Sequence, residues 1–124
     1  MYYHVTLERN VPSILKEGIK PSRSGLDGPG VYVWKGPLDK AVRNADISLS
    51  DNHYDLSAEK YNDFCKSLTL LEITLGSRDL PISVEWDDYC VLKGTVPPDC
   101  VREVGNFYDL AENVASKFKA MKLD

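Results

Sequence analysis

Glycine and proline cut this chain into short segments, and that punctuation limits its elements more than any other feature. Gly18 and Pro21 follow one apolar run; Gly25, Gly28, Pro29 and Gly30 precede the next, and Gly36-Pro37 closes it. Lys93-Gly94 and Pro97-Pro98 interrupt the late region. Proline lacks an N–H to donate and glycine opens positive φ, so helices and strands end where these residues stand. No apolar run between the breaks approaches the roughly 20 residues that a membrane-spanning helix needs.

The segments between the breaks can be read individually. Tyr2 to Thr6 is aromatic and β-branched and predicts a first strand. Asn10 is placed as an N-cap, Pro12 falls in the first turn where its missing N–H costs nothing, and Val11, Ile14 and Leu15 form an apolar stripe. Gly18 suits the position after the helix end. After the glycine-rich loop, Val31 to Trp34 predicts a short buried strand. Leu38 to Ile47 predicts a second helix with Ala41, Val42 and Ala45 on one side, followed by a polar connection over 48–56. Ser57 is placed to cap a third helix to Ser67. Leu68–Leu75, Tyr89–Leu92 and Cys100–Val104 read as strands, Asp79–Val84 as another strand or an extended link, and Leu110, Val114 and Phe118 mark a last helix. Helices gathered early and strands later favour an α+β class over a doubly wound α/β fold.

With 124 residues, the length suits one domain over 1–124, large enough to bury a core without disulfides or a structural metal. Three cysteines, an odd number without C-x-x-C spacing, argue against a zinc site or disulfide framework. Free thiols point to a reducing, cytoplasmic compartment, and the start of the chain lacks a signal-peptide pattern. A net charge of −4 argues against a protein that coats nucleic acid and makes a protein acceptor or partner the better expectation. Lys117, Lys119 and Lys122 read as a solvated helix end.

The first forty-odd residues carry an ordered set of short motifs. These are His4-Val5-Thr6, then Ile14-Leu15-Lys16-Glu17-Gly18-Ile19, then Gly28-Pro29-Gly30-Val31-Tyr32-Val33 and a helix. In order and spacing this resembles the ADP-ribosyltransferase superfamily, in particular its poly(ADP-ribose)-polymerase-like branch. The match covers about the first third of the chain. It implies a split β-sandwich with flanking helices and NAD as co-substrate. By this resemblance His4 bonds a ribose hydroxyl, the Val5 backbone binds the nicotinamide amide, Thr6 supplies a hydroxyl near the nicotinamide, Gly30 belongs to the same NAD-binding segment, and Tyr32 stacks on the nicotinamide ring. The transition state is oxocarbenium-like, so a carboxylate at the start of a late strand is expected. The family's glutamate has no unambiguous counterpart here. Asp88 is the first candidate and Glu85 the second.

The implied activity is transfer of one ADP-ribose from NAD to a macromolecule, a glycosyltransferase reaction. By analogy with small bacterial or phage members, the setting is that of a toxin or effector. A second reading is an inactive module of the same fold acting by protein contact. A third is an RNA 2′-phosphotransferase-like enzyme, but the arginines Arg9, Arg23 and Arg43 are scattered rather than gathered to hold phosphates. The residues point to no metal site.

Overall fold

The structure, a computed structural model, describes residues 1–78 and 80–123. Six strands and four α-helices follow one another along the chain. They are β1 (Tyr2–Leu7), α1 (Val11–Glu17), β2 (Val31–Lys35), α2 (Leu38–Asn52), α3 (Ala58–Lys66), β3 (Leu68–Ile73), β4 (Ile82–Glu85), β5 (Tyr89–Leu92), β6 (Val101–Asn106) and α4 (Phe107–Leu123). The fold is α+β. The strands form one six-stranded sheet in the order β4-β5-β2-β1-β3-β6, with every pairing antiparallel. The expected Asp79–Val84 strand runs over Ile82–Glu85, and Asp79 itself lies outside the described residues.

Alternation along the strands gives the sheet two apolar faces. Val31, Val33, Leu71, Ile73, Cys90 and Leu92 face one side, where Val11, Ile19, Val96 and Cys100 close over them. Tyr3, Leu68 and Leu70 face the other, beneath Ala41, Val42 and Ala45 of α2, Cys65 of α3, and Phe107 and Val114 of α4. The cysteines at 65, 90 and 100 are free thiols inside these cores.

Local signals explain most element ends. Asn10 precedes α1 without a side-chain cap bond, and Gly18 ends the helix at φ 87°. The Gly18 amide bonds back to the Ile14 carbonyl. The Ser57 hydroxyl accepts from the Lys60 amide and starts α3 as expected. Helix α2 departs from expectation: the polar stretch Ser48–Asn52 continues the helix rather than leaving it. Leu49 extends the stripe of Leu38, Val42 and Ala45 and packs against the core, while Ser48, Asp51 and Asn52 beside it border a cleft. At the far end of the chain, Lys117 pairs with Asp39 at 3.5 Å. The side chain of Lys122 lies outside the described residues.

One irregularity shapes the molecule. Strand β1 pairs with β3 along its whole length, from Tyr2↔Ile73 to Leu7↔Leu68. Against β2 it pairs only at Tyr2↔Lys35 and Tyr3↔Trp34. Beyond Tyr3 the two strands part, so the sheet is continuous at one end and open at the other. Where the resemblance implies a split β-sandwich, the strands form one six-stranded sheet whose two halves stay joined through these two pairs. No helix among the described residues is long and apolar enough to cross a membrane.

Candidate functional site

The gap between β1 and β2 is where the sequence-predicted residues meet. His4 follows the last residue of β1 that pairs with β2, and its Nδ1 lies 2.7 Å from the Tyr32 carbonyl oxygen. A carbonyl only accepts, so Nδ1 carries the proton and donates. The neutral ring then offers Nε2 as an acceptor. Burial pushes the His4 imidazolium below the ordinary histidine range; the bond to the Tyr32 carbonyl acts the other way and more weakly. At neutral pH His4 is thus uncharged and suited to accept a hydrogen bond from a hydroxyl.

Three concave regions adjoin this point. A cleft of about 450 Å³ between β1 and β2 is bordered by His4, Val5, Thr6, Tyr32 and Trp34, and by Ser48, Leu49 and Phe64 from the helices. On the α1 side, a hollow of about 270 Å³ is lined by His4, Thr6, Asn10, Ser13, Glu17 and Lys20, among others. On the α2 side, a cleft of about 540 Å³ runs along β2 and the start of β5 and includes Tyr32, Trp34, Asn44, Asp51, Asp88 and Tyr89. The first and second share His4, Thr6 and Asn10; the first and third share Tyr32, Trp34 and Ser48. Two of these volumes lie in the roughly 300–1,000 Å³ range of small-molecule sites.

Tyr32 is held firmly. Its hydroxyl donates to the Gly28 carbonyl at 2.6 Å and accepts from the Asp27 amide at 2.9 Å. Its ring stacks with Tyr89, centroids 6.5 Å apart and planes 17° from parallel. Trp34 tilts against the same Tyr89 ring at 5.5 Å. The loop fits around this aromatic group because residue 25 has no side chain: a Cβ there would collide with the hydroxyl end of Tyr32. The Tyr89 hydroxyl donates to Asp27 Oδ2, and that bond, with some help from burial, pushes the phenol up to about 12. Tyr89 and Asp27 were not singled out by sequence. Tyr89 was legible only as a residue opposite Trp34 in β5, and nothing local marks Asp27 as a partner.

The remaining predicted residues divide. Val5 and Thr6 border the β1/β2 cleft. Gly30 lies in none of the three concave regions. Its φ is 148° and a Cβ would collide with Val91 and the Leu92 carbonyl, so glycine is needed for close approach of the loop to β5. Asp88 lines the α2-side cleft, with its own carbonyl accepting from the Lys35 amide at 2.9 Å. This places it at the Lys35 end of β2, whereas His4 meets Tyr32 nearer the other end. Glu85 lies outside the three regions and pairs with Lys35 at 3.1 Å. His4, Thr6 and Tyr32 are thus brought together; Asp88 shares a cleft with Tyr32 but not with His4, and Glu85 stands apart. Arg9, Arg23 and Arg43 do not line these regions. Among the described residues no group of three His, Cys, Asp or Glu side chains is placed to hold a metal.

Searches against protein-family models, curated proteins and solved structures return no match for this chain.

Proposed function

We propose that the chain is an NAD-dependent mono-ADP-ribosyltransferase, on a split sheet of the ADP-ribosyltransferase kind. The observation that carries this reading is the parting of β1 and β2 beyond Tyr3, with His4, Thr6 and Tyr32 bordering the gap. Neutral His4 accepts a bond from a ribose hydroxyl at Nε2. The Thr6 hydroxyl and the Val5 backbone meet the carboxamide, and the fixed Tyr32 ring offers a flat face to nicotinamide. The ADP half extends toward the α1 side, where Asn10, Ser13 and Lys20 supply polar groups.

In the reaction the bond between ribose C1′ and the nicotinamide nitrogen breaks. Both electrons go to the pyridinium ring, and nicotinamide leaves neutral. Positive charge builds on the ribose and is stabilised by a carboxylate. Of the two carboxylates expected from the sequence, Asp88 is the one that shares a cleft with Tyr32. An acceptor nucleophile then bonds C1′ and releases its proton to water.

The test is nicotinamide release from labelled NAD by the purified protein with a protein acceptor mixture. His4→Ala and Tyr32→Ala are each expected to lower the rate at least about a hundredfold, in line with losing a fixed contact to the reacting sugar or ring. NAD that neither binds nor turns over would overturn the reading. A second reading, a module that binds without transferring, is favoured by one observation: Asp88 sits at the opposite end of β2 from the His4 contact. Calorimetric NAD binding without nicotinamide release would select it.

A further inference from the structure

The α2-side cleft has a lining unlike its neighbours. It has three aromatic rings, Tyr32, Trp34 and Tyr89, and two carboxylates, Asp51 and Asp88, carried by different elements. No lysine, arginine or histidine lines it. Among the described residues neither carboxylate takes part in a salt bridge, although six other acidic residues do.

The position of Asp51 adds an independent preference. It stands in the last turn of α2, a turn without a basic residue. The carbonyl end of a helix carries partial negative charge, which favours cations and disfavours a carboxylate. Asp51 is therefore on the wrong end of its helix for stability. Helix end, carboxylates and aromatic faces all prefer the same kind of guest, a cation, and the chain's net charge of −4 attracts one.

We propose that this cleft is a docking site for a guanidinium group, presented as an arginine side chain on a protein partner. A guanidinium is flat and weakly hydrated. It stacks on aromatic faces while its N–H groups reach carboxylates in pairs, and an ammonium lacks both that plane and that fork. An anionic guest such as a pyrophosphate is repelled by the same lining. The inference rests on the cleft alone and does not depend on NAD turnover.

The experiment is calorimetric titration of the whole chain, without NAD, with a capped Gly-Arg-Gly peptide and with its lysine counterpart. The arginine peptide should bind at least about fivefold more tightly, and its affinity should fall as salt is raised. Asp51→Asn should weaken arginine-peptide binding about tenfold while the melting temperature stays level or rises, because an unfavourable charge is removed from the helix end. Indifference of the peptide affinity to Asp51→Asn, equal binding of the lysine peptide, or no binding of either would each overturn the proposal. NAD binding measured on the same samples is a separate readout: its loss in the unmodified chain would count against the transferase reading and leave the guanidinium site standing.

Discussion

The two edges of β1 behave differently. On the β3 side the ladder runs from Tyr2 to Leu7 without a break; on the β2 side it stops after Tyr3. At the point where the second ladder stops, the next bond across the gap is made by a side chain, from the His4 imidazole to the Tyr32 carbonyl. An exposed backbone carbonyl is thereby satisfied while the strands diverge. The closed seam holds fully buried Leu70 and Leu71, and the open seam holds polar and aromatic groups around a cleft. One strand thus does structural work along one edge and leaves the other open along a cleft.

That contrast can be broken most strongly at the closed seam. Leu71 pairs with His4 in register and is fully buried, so Leu71→Ala should cost about 3 kcal/mol in urea unfolding, within the usual range of about 2–5 for such cavities. A cost under about 1 kcal/mol would mean the seam is not the stable half. Next comes pH. The folded state holds His4 below its ordinary value of 6.5, so the unfolded chain binds the proton more readily. Stability is full above about pH 6.5 and declines as pH falls through the folded value. Urea midpoints at pH 7.5 and 5.5 should differ in that direction, and His4→Gln should reduce the difference.

A smaller effect is expected at the aromatic group beside the open seam. Tyr89→Phe keeps the ring and removes the bond to Asp27, at a cost of about 1 kcal/mol. The Tyr89 phenol is raised to about 12, so its stabilisation is present below pH 10 and is lost as pH rises from 10 toward 12. Tyr89→Phe should lack that contribution to alkaline unfolding. The smallest effect has the opposite sign: Asp51→Asn should stabilise the chain by about 0.3–1 kcal/mol through the helix dipole, read as a slightly higher melting temperature.

The legible parts of this molecule were those written in local chemistry. Gly18 ends α1, Ser57 caps α3, and the period of Val31 and Val33 marks β2, all without help from distant residues. What sequence did not disclose depends on partners far along the chain. The end of α2 reads as a polar connection because Leu49 is a lone apolar residue among Ser48, Ser50, Asp51 and Asn52; it continues the stripe of Leu38, Val42 and Ala45 onto a core built from distant residues. Asp27 and Tyr89 are 62 positions apart, and only folding brings them into one bond. His4 and Tyr32 were singled out because each sits inside a recognisable motif, and the structure brings the two into contact. The carboxylate stayed open between Asp88 and Glu85 because register across a hairpin turn decides which side each faces, and Lys35 claims Glu85. Gly30 is expected in the binding segment on motif grounds alone; its close approach to Val91 and Leu92 of β5 is visible only in the fold.

The loop tied down by Tyr32 and Tyr89 also carries Leu26, which is 94 % exposed between bare Gly25 and anchored Asp27. A protease that prefers large apolar side chains meets its natural cut at that leucine. Nicking there would leave the loop in two pieces, each hinged from one end, and loosen the grip on the Tyr32 ring without touching the core. The rate of that single cleavage is therefore a gauge of how tightly the loop is closed, and a ligand seated against Tyr32 should slow it.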